Sequence, residues 1–362
     1  MTCEHLGKCG SCRIYDKSYQ HQLEEKHSYL KNLLGCEVEV FSSKEVGFRN
    51  RAEFRILHTE NGLKRGMFDF NKKLMPIQEC HIIAQALESA SGQLLEEISK
   101  NQTLSYKLYG LDLFTNSKDE VVATLIYHKP LDKKWESEAE LLQEKTSINI
   151  IGRSRKQKLV LKKETLLEEF EAKKPYSLLL REGAFFQPNF YMNKKMLEFA
   201  RSTTPKGDLL ELYCGNGNFS FALSDKYKNI FATEISKASI KDAETTKNDA
   251  DIKNIEFGRL SADELIEALN KKREFKRLEH VNIEDYNFQT LLVDPPRSGL
   301  SQSVVEFSNN FSQIIYISCN PKTLKRDLDM LEGFRIKKAA LFDQFPWTEH
   351  IESGVILETS QT

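Results

Sequence analysis

The chain has 362 residues, 40% of them hydrophobic and 29% charged, a composition typical of a globular protein with about two domains. Its 52 Lys and Arg against 53 Asp and Glu give a formal net charge of −1, so any basic surface for nucleic acid has to be local. No apolar run approaches the roughly 20 residues of a membrane span, and the first residues lack the apolar core of a signal peptide. The seven cysteines, an odd number without a secretory signal, argue against a disulfide framework. These features predict a cytoplasmic protein.

The first half of the chain combines one early helix with a run of short strands. The apolar spacing of residues 14–35 indicates a helix. The segments EVEVF, RAEFRIL and KRGMFDF are typical of strands, and Asn61-Gly62 between two of them indicates a hairpin turn. Further strands and two helices follow. We therefore expect an arm at residues 1–35 and a central α+β domain at residues 36–180.

The second half of the chain alternates strands with helices. DLLELYCG, NIFATEI, IEFGRL, TLLVDPP and QIIYISCNP are strand-like, and amphipathic helices separate them. This βαβ rhythm predicts an α/β domain with a doubly wound, Rossmann-like parallel sheet at residues 181–362.

A glycine-containing turn follows the first strand of this second half. The turn is CGNGN, residues 214–218, and Glu234 ends the next strand, where a carboxylate can accept both hydroxyls of a ribose. The third glycine of GxGxxG is missing, so no pyrophosphate need be bound. The pattern favours S-adenosylmethionine over a dinucleotide, and a glycine-rich connection without a ligand is the alternative.

Two further strands end in reactive side chains. Asp294-Pro-Pro-Arg297 ends the fourth strand and Ser-Cys319-Asn-Pro ends the fifth, and ligands of α/β sheets bind at this carboxyl edge. Amino-nitrogen methyltransferases usually carry an aromatic after the two prolines, whereas Arg297 suits a phosphate or a carbonyl oxygen. Cys319 is a candidate thiolate nucleophile, with a buried structural cysteine as the alternative.

Methylation of uracil at C5 explains a nucleophilic cysteine. C5 becomes nucleophilic only after a thiolate adds to C6, and a base must then remove the C5 proton. Glu352 in WTEHIES is the candidate base, Glu349 and His350 are its rivals, and a solvated carboxylate is the alternative interpretation.

Four motifs together resemble one enzyme family. ELYCGNGNF, LLVDPPRSGL, ISCNP and LFDQFPWTEHIESGVIL are similar to the RNA 5-methyluridine methyltransferases, most of all to their tRNA branch. The similarity extends to FRNRAEFRILH, LIYHKPLD, FFQPNFYMN and REFKRL and so covers nearly the whole chain. It implies transfer of a methyl group from S-adenosylmethionine to uridine 54 in the tRNA T-loop, and to the matching uridine of tmRNA, through a covalent Cys–uracil C6 adduct. Ribosomal RNA is the alternative substrate, and a non-catalytic RNA-binding protein is the competing class.

The resemblance also implies residue roles. Cys319 corresponds to the nucleophile, Glu352 to the proton acceptor, and Arg297 to an arginine that helps hold the flipped uracil. The cofactor-contacting positions that it implies are Gln187, Tyr213, Asn218, Glu234 and Asp294. We expect the protein to act as a monomer.

RNA recognition is expected from the central domain. Arg49, Arg51 and Arg55 alternate along one predicted strand, so their side chains should share one face. Such a face binds RNA phosphates or is merely solvated, and the resemblance favours RNA. Weaker candidates from neighbouring strands are Tyr109, Phe114, His128 and Lys129.

Cysteines in the arm give a further pattern. Cys3, Cys9 and Cys12 form C-x5-C-x2-C, with Cys80 downstream. Four thiolates are the usual ligand set of a [4Fe–4S] cluster. The spacing resembles the motif of the rRNA branch, which the tRNA branch usually lacks. Zinc and unligated thiols are the alternatives.

Overall fold

The computed structural model describes residues 3–279 and 281–359, beginning with an arm that packs on the last domain. Helix α1 (Tyr19–Leu34) starts at Ser18, whose side chain accepts a backbone N–H, and ends at Gly35, which adopts a φ of 67°. Strand β1 (Glu39–Phe41) follows. Leu23 of α1 is buried in the hydrophobic core of the last domain.

The central domain is a seven-stranded sheet with three helices, and its core lies between the sheet and these helices. Its elements are β2 (Arg51–Thr59), β3 (Gly62–Phe68), β4 (Leu74–Ile77), α2 (Gln85–Ser99), α3 (Gln102–Ser105), β5 (Leu108–Thr115), β6 (Val121–Tyr127), α4 (Lys133–Thr146), β7 (Asn149–Ser154) and β8 (Gln157–Val160). The strand order is β4-β3-β2-β5-β6-β7-β8. Strands β6 and β7 are parallel because α4 crosses over between them. Alternate residues of β2 enter the core, and the others face outward on the opposite side of the sheet.

A hairpin leads into the last domain. The remaining elements are β9 (Thr165–Phe170), β10 (Tyr176–Arg181), α5 (Phe190–Arg201), β11 (Asp208–Leu212), α6 (Asn218–Leu223), β12 (Ile230–Thr233), α7 (Lys237–Asp249), β13 (Ile255–Gly258), α8 (Ala262–Leu269), β14 (Phe288–Val293), α9 (Gln302–Ser308), β15 (Gln313–Ser318), α10 (Pro321–Met330), β16 (Phe334–Phe342) and β17 (Glu352–Thr359). Leu166 and Leu180 of the hairpin cover part of the outward face of the central sheet.

The last domain confirms the predicted doubly wound α/β fold. Its sheet has the order β1-β16-β17-β15-β14-β11-β12-β13, and β17 runs antiparallel to both of its neighbours. Strand β11 lies between β14 and β12, so the strands that follow it in the chain are added first on one side of it and then on the other. The carboxyl ends of β11 and β14 therefore form the switch point at which ligands bind in such sheets.

The first short strand joins a different sheet from the one that its position in the chain suggests. Strand β1 lies within residues 36–180, yet it pairs in parallel with β16, with Glu39 opposite Ala340. The chain enters the seven-stranded sheet only with β2. A three-residue edge strand carries too little sequence signal to indicate its partner.

No helix in the described part of the chain is long and apolar enough to cross a bilayer.

Candidate active site

A cleft of about 1800 Å³ opens at the carboxyl ends of β11, β14 and β15. The predicted residues that line it are Arg49, Gln187, Tyr213, Glu234, Asp294, Arg297, Cys319 and Glu352. Asn218 lines a smaller cavity, which Gln187, Tyr213 and Asp294 also line. The structure thus brings together residues that lie as much as 303 positions apart, Arg49 and Glu352.

Sheet register places the candidate base beside the candidate nucleophile. Cys319 directly follows β15, and Glu352 begins β17, which pairs with β15 so that Ser318 lies opposite Ser353. The Ser353 hydroxyl donates to the Ser318 carbonyl oxygen (3.1 Å) and fixes this crossing point. The side chains of residues 319 and 352 are close enough for their charges to interact.

Three acidic groups share the floor of the cleft. Burial raises the pKa of Asp294 to about 7, and burial together with the charges of Glu352 and Asp294 raises the pKa of Cys319 to about 11. Burial, followed by the charge of Asp294, holds the pKa of Glu352 well above its usual range. Because like charges in a desolvated site disfavour one another, all three groups hold their protons more tightly than they would in water.

Hydrogen bonds between loops hold the nucleophile and Asp294 in register. The Asn320 side chain donates to the carbonyl oxygen of Arg297 (3.0 Å), and its own oxygen accepts the N–H of Lys322 at the start of α10. The Gln187 side chain donates to Asp294 Oδ2 (3.4 Å). The Asp-Pro-Pro-Arg and Ser-Cys-Asn-Pro turns therefore form one connected edge.

The cofactor side of the cleft is built from the turn after β11 and the end of β12. Tyr213 adopts a φ of 62°, which turns the chain sharply at the end of the strand. Glu234 accepts backbone N–H groups from Gly215 (3.3 Å) and Ser236 (2.8 Å), so its carboxylate lies between the two turns. Each oxygen keeps a lone pair that can accept a ribose hydroxyl.

Asn218 has its side chain engaged with another asparagine. The amides of Asn218 and Asn193 exchange hydrogen bonds of 2.9 and 2.8 Å. Gly217, which precedes α6, adopts a φ of 86°, and a Cβ there would lie 2.7 Å from the ring of Phe221. A glycine is therefore required for this tight entry into the helix.

Arg49, Arg51 and Arg297, which were predicted to contact the RNA, occupy different environments. Arg49 lines the cleft with its guanidinium 6.0 Å from the ring of Phe345, and Arg297 is exposed at the rim. Arg51 lines neither cavity, because its guanidinium donates to the Ala184 carbonyl oxygen (3.1 Å) and pairs with Glu53 at 3.3 Å. Contacts between the domains, which no strand pattern reveals, thus occupy Arg51.

The open face of the central sheet carries a stacked group of side chains, Arg55, Tyr109 and His128. The guanidinium of Arg55 lies 4.7 Å from the ring of Tyr109, which stacks on His128 with ring centroids 4.0 Å apart. Phe114 does not belong to this surface, because it is buried against Phe186 under the hairpin. Lys129 donates to a backbone carbonyl oxygen, that of Thr103 (2.8 Å).

Other residues of the cleft had no predicted site role. Gln344 and Phe345 lie between β16 and β17, and Gly10, Ser11 and Arg13 bring the arm to the cleft wall. The DQFP segment belongs to one of the four motifs, but nothing in its spacing indicates which side chain faces the site. The sequence of the arm likewise contains no motif that indicates a place in the cleft wall.

The arm cysteines and Cys80 lie close enough to affect one another. Burial, followed by the charges of Cys80, Cys9 and Cys3, raises the pKa of Cys12 to about 12. None of the four forms a disulfide. Within residues 3–279 and 281–359, no three His, Cys, Asp or Glu side chains are arranged to hold a single metal ion.

Comparison with known proteins identifies the family. A family model described as tRNA (Uracil-5-)-methyltransferase matches residues 18–360. The chain belongs to this family. The tRNA/tmRNA (uracil-C(5))-methyltransferase of a Nitratiruptor species is 42% identical over 361 residues, 99% of each chain. The enzyme of that name from Proteus mirabilis is 41% identical over 357 residues, 94% of this chain and 98% of the relative.

A solved structure of the tRNA (uracil-5-)-methyltransferase family has the same architecture. The crystal structure of Pyrococcus abyssi tRNA (uracil-54, C5)-methyltransferase in complex with S-adenosyl-L-homocysteine aligns with a TM-score of 0.75 and 25% identity. The alignment covers 96% of this chain and 86% of that chain. These findings confirm the predicted family and the Rossmann-like fold.

Proposed function

We propose that this chain transfers a methyl group from S-adenosylmethionine to C5 of uridine 54 in the tRNA T-loop, and to the equivalent uridine of tmRNA. The observation that carries the proposal is the single cleft that joins Cys319, Asp294 and Glu352 to the Glu234 turn. The names of the relatives support tRNA and tmRNA over ribosomal RNA as substrates. A tRNA substrate also supports the predicted cytoplasmic location, and the monomeric state stays a prediction.

The chemistry begins with a bond between the Cys319 sulfur and C6 of the uracil. The Cys319 thiol first gives its proton to solvent in the open cleft. The electron pair of the resulting thiolate then forms this bond, and the C5–C6 double bond shifts to give an enolate. C5 of the enolate attacks the methyl carbon of the sulfonium in line, and S-adenosylhomocysteine leaves as the sulfur keeps the pair of the broken bond. Glu352 then takes the C5 proton, and the thiolate leaves as the double bond reforms.

The raised pKa values give the two carboxyl groups a function in this sequence. A positively charged sulfonium bound in the cleft favours the ionised forms of Asp294 and Glu352, because opposite charges attract most strongly in a desolvated site. Glu352 is favoured over the exposed His350 as the base, since the charges of Glu352 and Cys319 interact directly. Binding of the methyl donor therefore prepares the base.

Five residues are assigned to the cofactor by position. Tyr213 and Glu234 line the cleft beside the turn after β11, and Gln187 and Asp294 line the wall shared with the smaller cavity. Asn218 borders that cavity with its amide tied to Asn193. We assign Glu234 to the ribose hydroxyls because its carboxylate has free lone pairs at the end of β12.

The RNA side of the proposal uses cations and rings of the cleft and of the open face of the central sheet. A uracil stacked in a folded loop has to be extracted before a thiolate can reach C6. Arg297 at the rim and Arg49 in the cleft wall can contact its phosphates or carbonyl oxygens. Arg55, Tyr109 and His128 offer stacking surfaces for neighbouring bases.

The decisive experiment is methyl transfer from labelled S-adenosylmethionine to unmodified tRNA. We expect 5-methyluridine in tRNA, and no label in a tRNA whose uridine 54 is replaced by cytidine. A 23S rRNA transcript is tested in parallel. Label in rRNA alone, or label that persists in the cytidine control, contradicts the proposal.

We also propose that Cys3, Cys9, Cys12 and Cys80 bind a [4Fe–4S] cluster that ties the arm to the central domain. Support comes from the mutual influence of their charges and from the isolated bridge between Cys9 and Asp69, which brings the arm to the end of β3. Anaerobic purification should give a brown protein with iron and acid-labile sulfide in equal amounts. Zinc, or a colourless protein without metal, contradicts this assignment.

A further inference from the structure

We propose that Gln344 is a positioning residue that sets the direction of the Gln187 side-chain amide. The Gln344 amide donates to the oxygen of Gln187, so Gln187 presents an N–H donor towards Asp294 and the cleft. The acceptor in the reacting complex is an oxygen of the substrate uracil or the carboxylate of the cofactor. Only the identity of this acceptor rests on the function proposed above.

The geometry of the two amides carries the inference. Gln344 Nε2 lies 2.6 Å from Gln187 Oε1, and Gln187 Nε2 lies 3.4 Å from Asp294 Oδ2. Gln344 and Gln187 are 1% and 8% exposed, so water has little access to the pair. A reversed Gln187 amide would direct its carbonyl oxygen at a carboxylate and its NH2 at another NH2. Both contacts are repulsive, so Gln344 and Asp294 together favour one of two orientations that have the same shape.

The loop that carries Gln344 is fixed from both sides. Lys26 of α1 donates to Asp343 Oδ1 (2.6 Å) and to the carbonyl oxygen of Phe345 (3.2 Å), and this ion pair is almost completely buried. On the other side, Asn189 donates to the Gln344 carbonyl oxygen (3.3 Å). The backbone of residue 344 is thus held while its side chain reaches towards Gln187.

A purely packing role for Gln344 does not explain its chemistry. Its Oε1 is buried without a hydrogen-bond partner among the described residues, which is unfavourable for a carbonyl oxygen. Methionine has nearly the same length and shape and would fill the space without an unpaired oxygen. The amide is useful at this position because of the N–H that it donates to Gln187.

Two substitutions separate orientation from packing. Gln344→Glu keeps the size but, when ionised, offers only acceptors to Gln187 and so reverses its amide. Gln344→Met keeps the size and removes the preference. We expect kcat/KM at pH 9 to fall by about tenfold or more in Gln344→Glu and by less in Gln344→Met.

The pH dependence is the readout that a structural role would not change. As the pH falls from 9 to 6, the introduced carboxyl becomes protonated and can donate again, so the ratio of Gln344→Glu to wild-type kcat/KM should rise. The same ratio for Gln344→Met should stay constant. A higher KM for S-adenosylmethionine identifies the cofactor carboxylate as the acceptor, whereas a higher KM for tRNA or a lower kcat identifies the uracil.

Equal losses in both variants with ratios independent of pH would overturn the proposal. If Gln344→Glu does not fold, as judged by thermal unfolding, Gln344→Met decides, and kcat/KM within about twofold of wild type contradicts the proposal. Wild-type product analysis runs beside these assays. Wild-type 5-methyluridine formation with unaffected variants contradicts only this inference, whereas no wild-type product contradicts the proposed function.

Discussion

The floor of the cleft and the open face of the central sheet use charge in opposite ways. On the floor, Asp294 and Glu352 are desolvated without an ion-pair partner among the described residues, and their pKa values rise. On the open face, the guanidinium of Arg55 lies over the exposed ring of Tyr109, which stacks on His128. Desolvation creates reactive groups at the floor, and solvation leaves cations available to a polyanion at the face. Substitutions at the floor should therefore change chemical steps, and substitutions at the face should change binding.

The largest effect is expected at the two ends of the covalent cycle. Cys319→Ala should reduce methyl transfer by more than about a thousandfold, because no adduct can form. Glu352→Gln should stop turnover after methyl transfer, because elimination needs the proton to leave C5. A denaturing gel should show tRNA bound covalently to Glu352→Gln and no bound tRNA with Cys319→Ala. Normal turnover of Glu352→Gln would assign the base to Glu349, His350 or water.

The pH profile tests the desolvation of the floor. The reaction needs the thiolate of Cys319 and ionised carboxylates, and burial raises the pKa of Asp294 to about 7 and that of Cys319 to about 11. The value of kcat/KM should therefore rise with pH from 6 to 9, by about tenfold per unit because of the Cys319 thiol and more steeply below pH 7, where Asp294 is also protonated. Initial rates at subsaturating tRNA between pH 6 and 9 measure this slope. A flat profile would show that the floor is ionised in the free enzyme.

The sequence could predict the floor because strand ends are local signals. Asp294 and Cys319 follow apolar strands directly, and a βαβ rhythm places such ends at one edge. The face was predicted less well, because Arg51 and Phe114 are covered by the chain that joins the two domains. Gln344 shows the same limit at the floor, since its function depends on a partner 157 positions away. Long-range packing between loops has no periodicity to detect.

The open face should respond through affinity. Tyr109→Ala removes both the ring under Arg55 and the partner of His128, so we expect KM for tRNA to rise by about tenfold with little change in kcat. Leu141→Ala and Lys134→Glu on α4 are matched controls, because both side chains are exposed on the other side of the sheet. An unchanged KM in Tyr109→Ala, or an equal rise in the controls, would contradict an RNA-binding face.

The smallest effect is expected on the stability of the folded protein, through a buried carboxyl group in strand β11 below the floor of the cleft. Glu211 of β11 is 1% exposed and accepts a hydrogen bond from Ser220, and burial raises the pKa of its carboxyl to about 8. The folded protein therefore binds this proton more tightly than the unfolded chain. The resulting stabilisation is fully present below the unfolded pKa of roughly 4 and is lost as the pH rises through about 8.

Glu211→Gln removes this titration and keeps an oxygen that can accept from Ser220. The variant should match wild type in thermal unfolding at pH 5 and exceed it at pH 9, by an amount on the order of a few kcal/mol at most. Ser220→Ala is the control for the hydrogen bond, and it should destabilise the protein at both pH values. An equal difference between Glu211→Gln and wild type at pH 5 and pH 9 would mean that packing, rather than desolvation of a carboxylate, determines the stability of the strand below the active site.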